Sequence, residues 1–248
     1  MFCLISLVSV SRENFKSIGG KVKVLLFDID GTLILSGGAG LRAMNRAFFD
    51  LHQVPNAFDG ISLSGRTDTW IIETAMTRAG IPVDDNIVNT FKERYFLLLP
   101  EEISKPGNNK RIMPGVENLL DILKAMDSII LGLLSGNWEK SGRIKLAHFN
   151  LSHLFKFGAF ADDSGDRNML LPFAIQRFVK SYKRKPKVED VFIIGDTPFD
   201  IKCAKPHGVK SVAVGAAHYS VDELAQYSPD HLLSSLEKTD DFMDILES

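Results

Sequence analysis

The sequence predicts an α/β fold, a doubly wound parallel sheet with a block of helices inserted after its first strand. Three observations carry this. Five short runs rich in β-branched residues or leucine recur at 22–27, 128–134, 157–160, 191–194 and 211–214. The first, second and fourth are almost unbroken apolar stretches, as strands covered on both faces are. Helical spacing fills most of the gaps between runs, and such alternation marks a parallel sheet flanked by helices. The alternation fails over 36–112, which reads as several amphipathic helices with no convincing strand.

The elements follow in order. The run at 22–27 ends in Asp28-Ile29-Asp30-Gly31-Thr32-Leu33. In the insertion, Leu41, Met44, Ala47, Phe48 and Leu51 share one helical face. Trp70, Ile71, Thr74, Ala75 and Arg78 mark a second helix, stopped by Gly80-Ile81-Pro82. A third runs from Asp84 to Leu98 and is expected to end before Pro100, with 104–109 as a linker. Gly37, Gly38, Gly40 and Gly107 flank the insertion as hinge candidates. Pro114-Gly115 opens a helix bearing Val116, Leu119, Leu120, Leu123 and Met126; Phe173 to Val179 and Pro198 to Lys205 give two more. The expected division is therefore a leader at 1–20, a core at 21–35 and 113–248, and an inserted helical unit at 36–112.

Composition excludes several classes. At 248 residues, 45% hydrophobic and 24% charged, the chain can bury a sizeable core. Twenty-nine basic residues against 31 acidic leave a net charge of -2, no field for nucleic acid or an anionic membrane. No apolar run reaches the roughly 18 residues of a membrane span. The apolar stretch Phe2–Val10 is broken by two serines and has no basic segment before it, so it is read as a leader and not as a secretion signal. Cys3 and Cys203 are too far apart in sequence for a metal-type pair, which fits a reducing, cytoplasmic setting. A monomer or homodimer is expected.

Three strand ends carry chemistry. Asp28 and Asp30 sit one residue apart where an apolar strand meets Gly31, at the edge of the sheet where ligands bind in open α/β folds. Two close carboxylates suit a nucleophile paired with a general acid–base, with a divalent cation balancing the charge. Ser135-Gly136-Asn137 closes the second run with a compact set of donors for phosphoryl oxygens. Gly195-Asp196-Thr197-Pro198-Phe199-Asp200 closes the fourth and opens a helix. Oxygen ligands from Asp28, Asp30 and Asp196 would suit Mg2+. A dianionic substrate also needs a protein cation, for which Arg167 is the candidate and Lys180 the alternative. In the insertion, Arg66 lies on a loop between helical segments and could point inward. Trp138 is a candidate pocket wall or core residue, and the histidines show no metal spacing.

These motifs, in this order, resemble the haloacid dehalogenase superfamily of aspartate-nucleophile hydrolases. The resemblance spans about residues 22–236 and includes Gly65-Arg66-Thr67-Asp68 in the insertion and Cys203-Ala204-Lys205 after the last motif. It implies a Rossmann-like core and a C1-type cap, in the phosphoglycolate-phosphatase-like subgroup. It implies that Asp28 attacks phosphorus to form an aspartyl phosphate, and that Asp30 protonates the leaving oxygen and then activates water. Ser135 would hold the phosphoryl group, with Thr32, Gly136, Asn137 and Arg66 among the substrate contacts. Asp28, the Asp30 carbonyl, Asp196 and Asp200 would surround Mg2+. The chain departs from the family in lacking the usual lysine followed by proline after the third strand; Arg167 is the nearest match. Branches that attack carbon–halogen bonds lack the second acid, so Asp30 favours phosphoester hydrolysis of a small phosphorylated metabolite. A phosphomutase of the β-phosphoglucomutase type would use the same residues, and a non-catalytic relative is the third reading.

Overall fold

β1 (Lys23–Phe27) is buried along almost its whole length, as its unbroken apolar run requires. The computed structural model describes residues 21–107 and 109–247; the leader expected at 1–20 lies outside the described residues. After β1 come β2 (Ile34–Ser36), α1 (Ala39–His52), α2 (Asp68–Arg78), α3 (Asp85–Ser104) and β3 (Lys110–Ile112). The chain continues through α4 (Val116–Lys124), β4 (Ile129–Leu134), α5 (Glu139–His148), β5 (Gly158–Ala159), α6 (Leu170–Tyr182) and β6 (Val191–Gly195). It ends with α7 (Pro198–Ala204), β7 (Lys210–Val214), α8 (Val221–Ala225), β8 (His231–Leu233) and α9 (Thr239–Glu247).

Six strands form one parallel sheet in the order β5-β4-β1-β6-β7-β8. From β1 the chain winds outward through β4 and β5, then returns to the other side of β1 with β6. That reversal creates a crevice at the carboxyl ends of β4, β1 and β6, where ligands bind in doubly wound sheets. Helices cover both faces. Leu25, Phe27, Leu131, Leu133 and Ile194 pack with Leu119, Leu120 and Leu123 of α4 and Phe242 of α9. Val24, Leu26 and Ile193 pack on the other face with Leu171, Ala174 and Phe178 of α6. Full burial of each such side chain is worth about 1.5–3 kcal/mol.

The inserted helices have a core of their own, in which Ala43, Ala47 and Phe48 of α1 meet Ile72 and Met76 of α2 and Phe91 and Tyr95 of α3. Two expectations for this segment are corrected. It is not free of strands, because β3 lies within it and pairs antiparallel with β2, Leu35 opposite Arg111. Runs of three residues are too short to show a period. Nor does the third helix stop before Pro100, which lies inside α3. Beyond the proline, buried Ile103 and the Glu102 carboxylate, bound by Arg42, Arg46 and Lys105, hold the last turn in place, so packing overrides the local propensity. Gly37 and Gly38 turn the chain at the end of β2 with φ of 61° and 76°, a region that favours glycine.

Candidate active site

The crevice is built by three adjacent strands, β4, β1 and β6, that run into the candidate residues Ser135, Asp28 and Asp196. Asp28 follows β1, and its backbone N–H donates to the Ile194 carbonyl of β6 at 2.9 Å. Asp196 follows β6, and Asp200 sits in the first turn of α7. One carboxylate oxygen from each of Asp28, Asp196 and Asp200 lies within 4.8 Å of the others. All three are buried. Asp200 is held by a capping box, with the Thr197 N–H and hydroxyl donating to its Oδ2 at 3.1 and 2.7 Å. Gly31 makes room for the group, since a Cβ there would lie 2.6 Å from Asp196 Cγ.

Of the two candidate cations, Arg167 lies beside these acids. It is only 5% exposed, in the turn before α6, where Asp166 accepts the Asn168 N–H. Its Nη2 is 3.2 Å from Asp28 Oδ1 and 2.5 Å from Asp200 Oδ1. Lys180, the alternative, is exposed on α6. Burial pushes the Asp28 carboxyl above its usual range, Asp200 adds to this, and Arg167 opposes it. Asp196 is raised by burial too, against the hydrogen bonds from His218 and Thr32. A trio of buried acids with one guanidinium is short of positive charge, and its all-oxygen donors are those a hard divalent cation takes.

The second acid is separated from this trio. The Asp30 side chain is not part of the three-carboxylate group; its Oδ2 accepts from Lys145 Nζ at 2.6 Å and Asn137 Nδ2 at 2.8 Å. Burial would raise Asp30, but Lys145 and Asn137 outweigh it and hold the carboxyl below its usual range. Asn137 Nδ2 also donates to Ser135 Oγ at 2.9 Å, linking this cluster to the end of β4. The Thr32 hydroxyl donates to Asp196 Oδ1 at 3.2 Å.

Two residues escaped the sequence reading. His218, in the loop after β7, has Nδ1 2.9 Å from Asp196 Oδ2, and that hydrogen bond raises its pKa. Its contact is tertiary and has no local spacing to announce it. Lys145 lies on α5, whose buried face is Ser141, Gly142, Lys145 and Leu146. That face has helical spacing, but three of its four residues are not hydrophobic, so a search for apolar periodicity passes over it.

The inserted helices close over the crevice through the segment 65–69. The Asp68 N–H donates to the Gly136 carbonyl at 2.6 Å, and the Asp68 carboxylate accepts the Trp138 N–H at 2.9 Å and the Ser141 hydroxyl at 3.1 Å. Burial pushes Asp68 up to about 6. Thr67 donates to the Gly165 carbonyl at 2.6 Å and Thr69 to the Ala161 carbonyl at 2.9 Å. Arg66 stacks on Trp70 and Phe199, 4.3 and 4.6 Å from the ring centres. Trp138 is core and not pocket wall, packed against Phe91, Tyr95 and Phe96. Beneath the segment lies a pocket of about 710 Å³, whose walls include Asp28, Asp30, Ser135, Arg66, Arg111 and Lys145. A small organic molecule fits such a volume.

Solved structures share this fold. The structure is similar to a predicted phosphoglycolate phosphatase from Haemophilus somnus, at 20% identity over 91% of this chain and 99% of that one, with a TM-score of 0.62. It is similar to a predicted phosphatase from Clostridium acetobutylicum, at 18% identity over 92% and 100%, with a TM-score of 0.65. It is similar as well to a β-phosphoglucomutase from Clostridium difficile, at 20% identity over 91% and 97%, with a TM-score of 0.66. At these identities the likeness is one of fold. No curated protein matches the sequence. The profile of one family does match, over residues 25–214, and by that match the chain belongs to the haloacid dehalogenase-like hydrolases.

Proposed function

We propose that the protein is a Mg2+-dependent phosphatase that hydrolyses a small organic phosphate monoester through an aspartyl phosphate on Asp28. The observation that carries this is the division of labour between two acids. Asp28 lies in the three-carboxylate group beside Arg167, while Asp30 is held apart on its own cation. Asp28 is the nucleophile, and its carboxylate needs no base to activate it. Asp30, which must take up its proton against the pull of Lys145, gives it to the departing alkoxide and recovers one from the water that cleaves the aspartyl phosphate. Such acid–base help is worth ~10²–10⁴-fold. Ser135 and the backbone around Gly136 and Asn137 hold the phosphoryl oxygens, and Arg167 neutralises charge on the group in transit. The carboxylates of Asp28, Asp196 and Asp200, with the Asp30 carbonyl, would hold the metal. A bound Mg2+ supplies Lewis-acid charge neutralisation at the phosphoryl oxygens.

In this reading residues 36–112 form a cap on a core made of 21–35 and 113–248, with Arg66 among the residues that select the leaving group. Among the described residues no helix is long and apolar enough to cross a membrane, and the partner is a small phosphorylated metabolite. The closing segment 65–69, which would shield an aspartyl phosphate from water, favours one second reading, a mutase of the β-phosphoglucomutase type. Product analysis separates the two: a phosphatase releases inorganic phosphate, a mutase returns an isomerised sugar phosphate. The nucleophile is tested with Asp28→Asn. Hydrolysis of p-nitrophenyl phosphate should vanish in Asp28→Asn, and wild-type activity in it would remove Asp28 from the mechanism. In the wild type, EDTA should abolish activity and Mg2+ restore it.

A further inference from the structure

We propose that Lys145 is a positioning residue for the acid–base group, fixing which oxygen of Asp30 exchanges protons with the leaving group; the inference rests on the phosphatase reading above. Lys145 is 6% exposed, and a buried ammonium is costly unless fully paired. Its Nζ donates to Asp30 Oδ2 at 2.6 Å and to Asn137 Oδ1 at 2.7 Å.

The second contact sets the first. An ammonium is a donor only, so the atom of Asn137 facing it is the carbonyl oxygen. The amide nitrogen therefore faces the other way, donating to Asp30 Oδ2 at 2.8 Å and to Ser135 Oγ at 2.9 Å. Asp30 Oδ2 thus receives two donors, one of them charged, and has no use for a proton of its own. The proton given to the leaving oxygen belongs on Oδ1. With Nδ2 as its donor, the Ser135 oxygen keeps its own O–H to donate, and that hydroxyl hydrogen-bonds to the Asp28 carboxylate. One cation therefore orients the acid and, through Asn137, the hydroxyl at the end of β4.

The position of Lys145 is itself set from outside the core. It lies on α5, one helical turn beyond Ser141, and the start of α5 is held by the Asp68 carboxylate through the Trp138 N–H and the Ser141 hydroxyl. Asp68 comes from the inserted helices, so their docking and the placement of the acid are joined through one helix.

A merely structural ion pair would lower activity toward all substrates alike. A positioning role predicts dependence on the leaving group. The measurement is kcat/KM on p-nitrophenyl phosphate, whose leaving group departs without help, and on β-glycerophosphate, whose alkoxide needs a proton. This parameter covers only the steps up to departure of the leaving group. The ratio of the two values within one preparation also cancels any loss of folded protein. Asp30→Asn sets the full scale, up to ~10²–10⁴-fold greater loss on β-glycerophosphate. Lys145→Met should shift the ratio in the same direction by ~10-fold or more. If Asp30→Asn shifts the ratio and Lys145→Met lowers both values equally, the positioning role is refuted and the phosphatase reading stands. If Asp30→Asn leaves the ratio unchanged, Asp30 is not the acid, and both readings fall.

Discussion

Replacing Gly136 by alanine would drive a wedge between the inserted helices and the core. The φ of Gly136 lies outside the left-handed region, so alanine suits the backbone. What it meets is the segment 65–69: the new Cβ would lie 2.9 Å from the Arg66 carbonyl carbon, closer still to its oxygen, and 3.2 Å from Arg167 Nη1. Backbone cannot rotate away as a side-chain end can, so the segment must retreat. Overpacking of this kind costs ~1–3 kcal/mol. Stretching the hydrogen bond from the Asp68 N–H to the Gly136 carbonyl, 2.6 Å in this structure, adds ~0.5–1.5 kcal/mol. The docked arrangement then loses about 1.5–4.5 kcal/mol, a shift of ~10–1500-fold at ~1.4 kcal/mol per tenfold. The expected result is a fall in kcat/KM of that order at most. The melting temperature should change little, because the sheet cores are untouched. Both tryptophans, Trp70 and Trp138, sit at this joint, so their emission should shift to the red as the segment lifts. Wild-type kcat/KM in a variant with red-shifted emission would show that catalysis does not need the docked segment.

Arg167→Ala should cost far more activity than Lys180→Ala, because only Arg167 touches Asp28; equal losses in the two kinetic assays would displace Arg167 from the site. Glu102 gives an acid-stability signature. Burial would raise its carboxyl, but Lys105, Arg46 and Arg42 outweigh it and hold the pKa at about 2. A folded pKa below the unfolded ~4.3 gives stability that is present above pH ~4.3 and lost as pH falls toward 2, ~3 kcal/mol by linkage and nearer 1–2 once the half-exposed partners are discounted. Glu102→Gln should therefore lower the urea midpoint at pH 7 and flatten its decline between pH 5 and 3, and an unchanged decline would reject this account.

The parts of the fold that could be read from the sequence are those whose burial is written into consecutive residues. β1, β4 and β6 are apolar on both faces because helices cover both, so their runs are unbroken and their ends fall at Asp28, Ser135 and Asp196. The ribbon of β2 and β3 could not be read in this way. Its strands have three residues each, and what defines them is pairing between Ile34 and Ile112, far apart in sequence. Pro100 misled because a local rule met a turn fixed by tertiary ion pairs. The site residues at a strand end or in the turn just after it, Asp28, Ser135, Asp196 and Asp200, could be read from the sequence, whereas Lys145 and His218 could not. Lys145 and His218 enter the crevice from α5 and from beyond β7, and nothing in their own neighbourhoods marks them.

The arginine at position 167 follows from what surrounds it. Lysine would bring a single ammonium, a compact charge that settles against one carboxylate or the other. The Arg167 guanidinium spreads its donors over a plane: Nη2 lies between Asp28 and Asp200, and Nη1 is 3.4 Å from the Gly65 carbonyl. Gly65 belongs to the segment that closes the crevice. One side chain therefore touches Asp28, Asp200 and the closing backbone together. Withdrawal of the segment would take away the Nη1 acceptor while leaving both carboxylate contacts. The charge beside Asp28 thus stays in place whether or not the pocket is shut, while one donor of the same group responds to closure. A point charge has no second arm with which to do both.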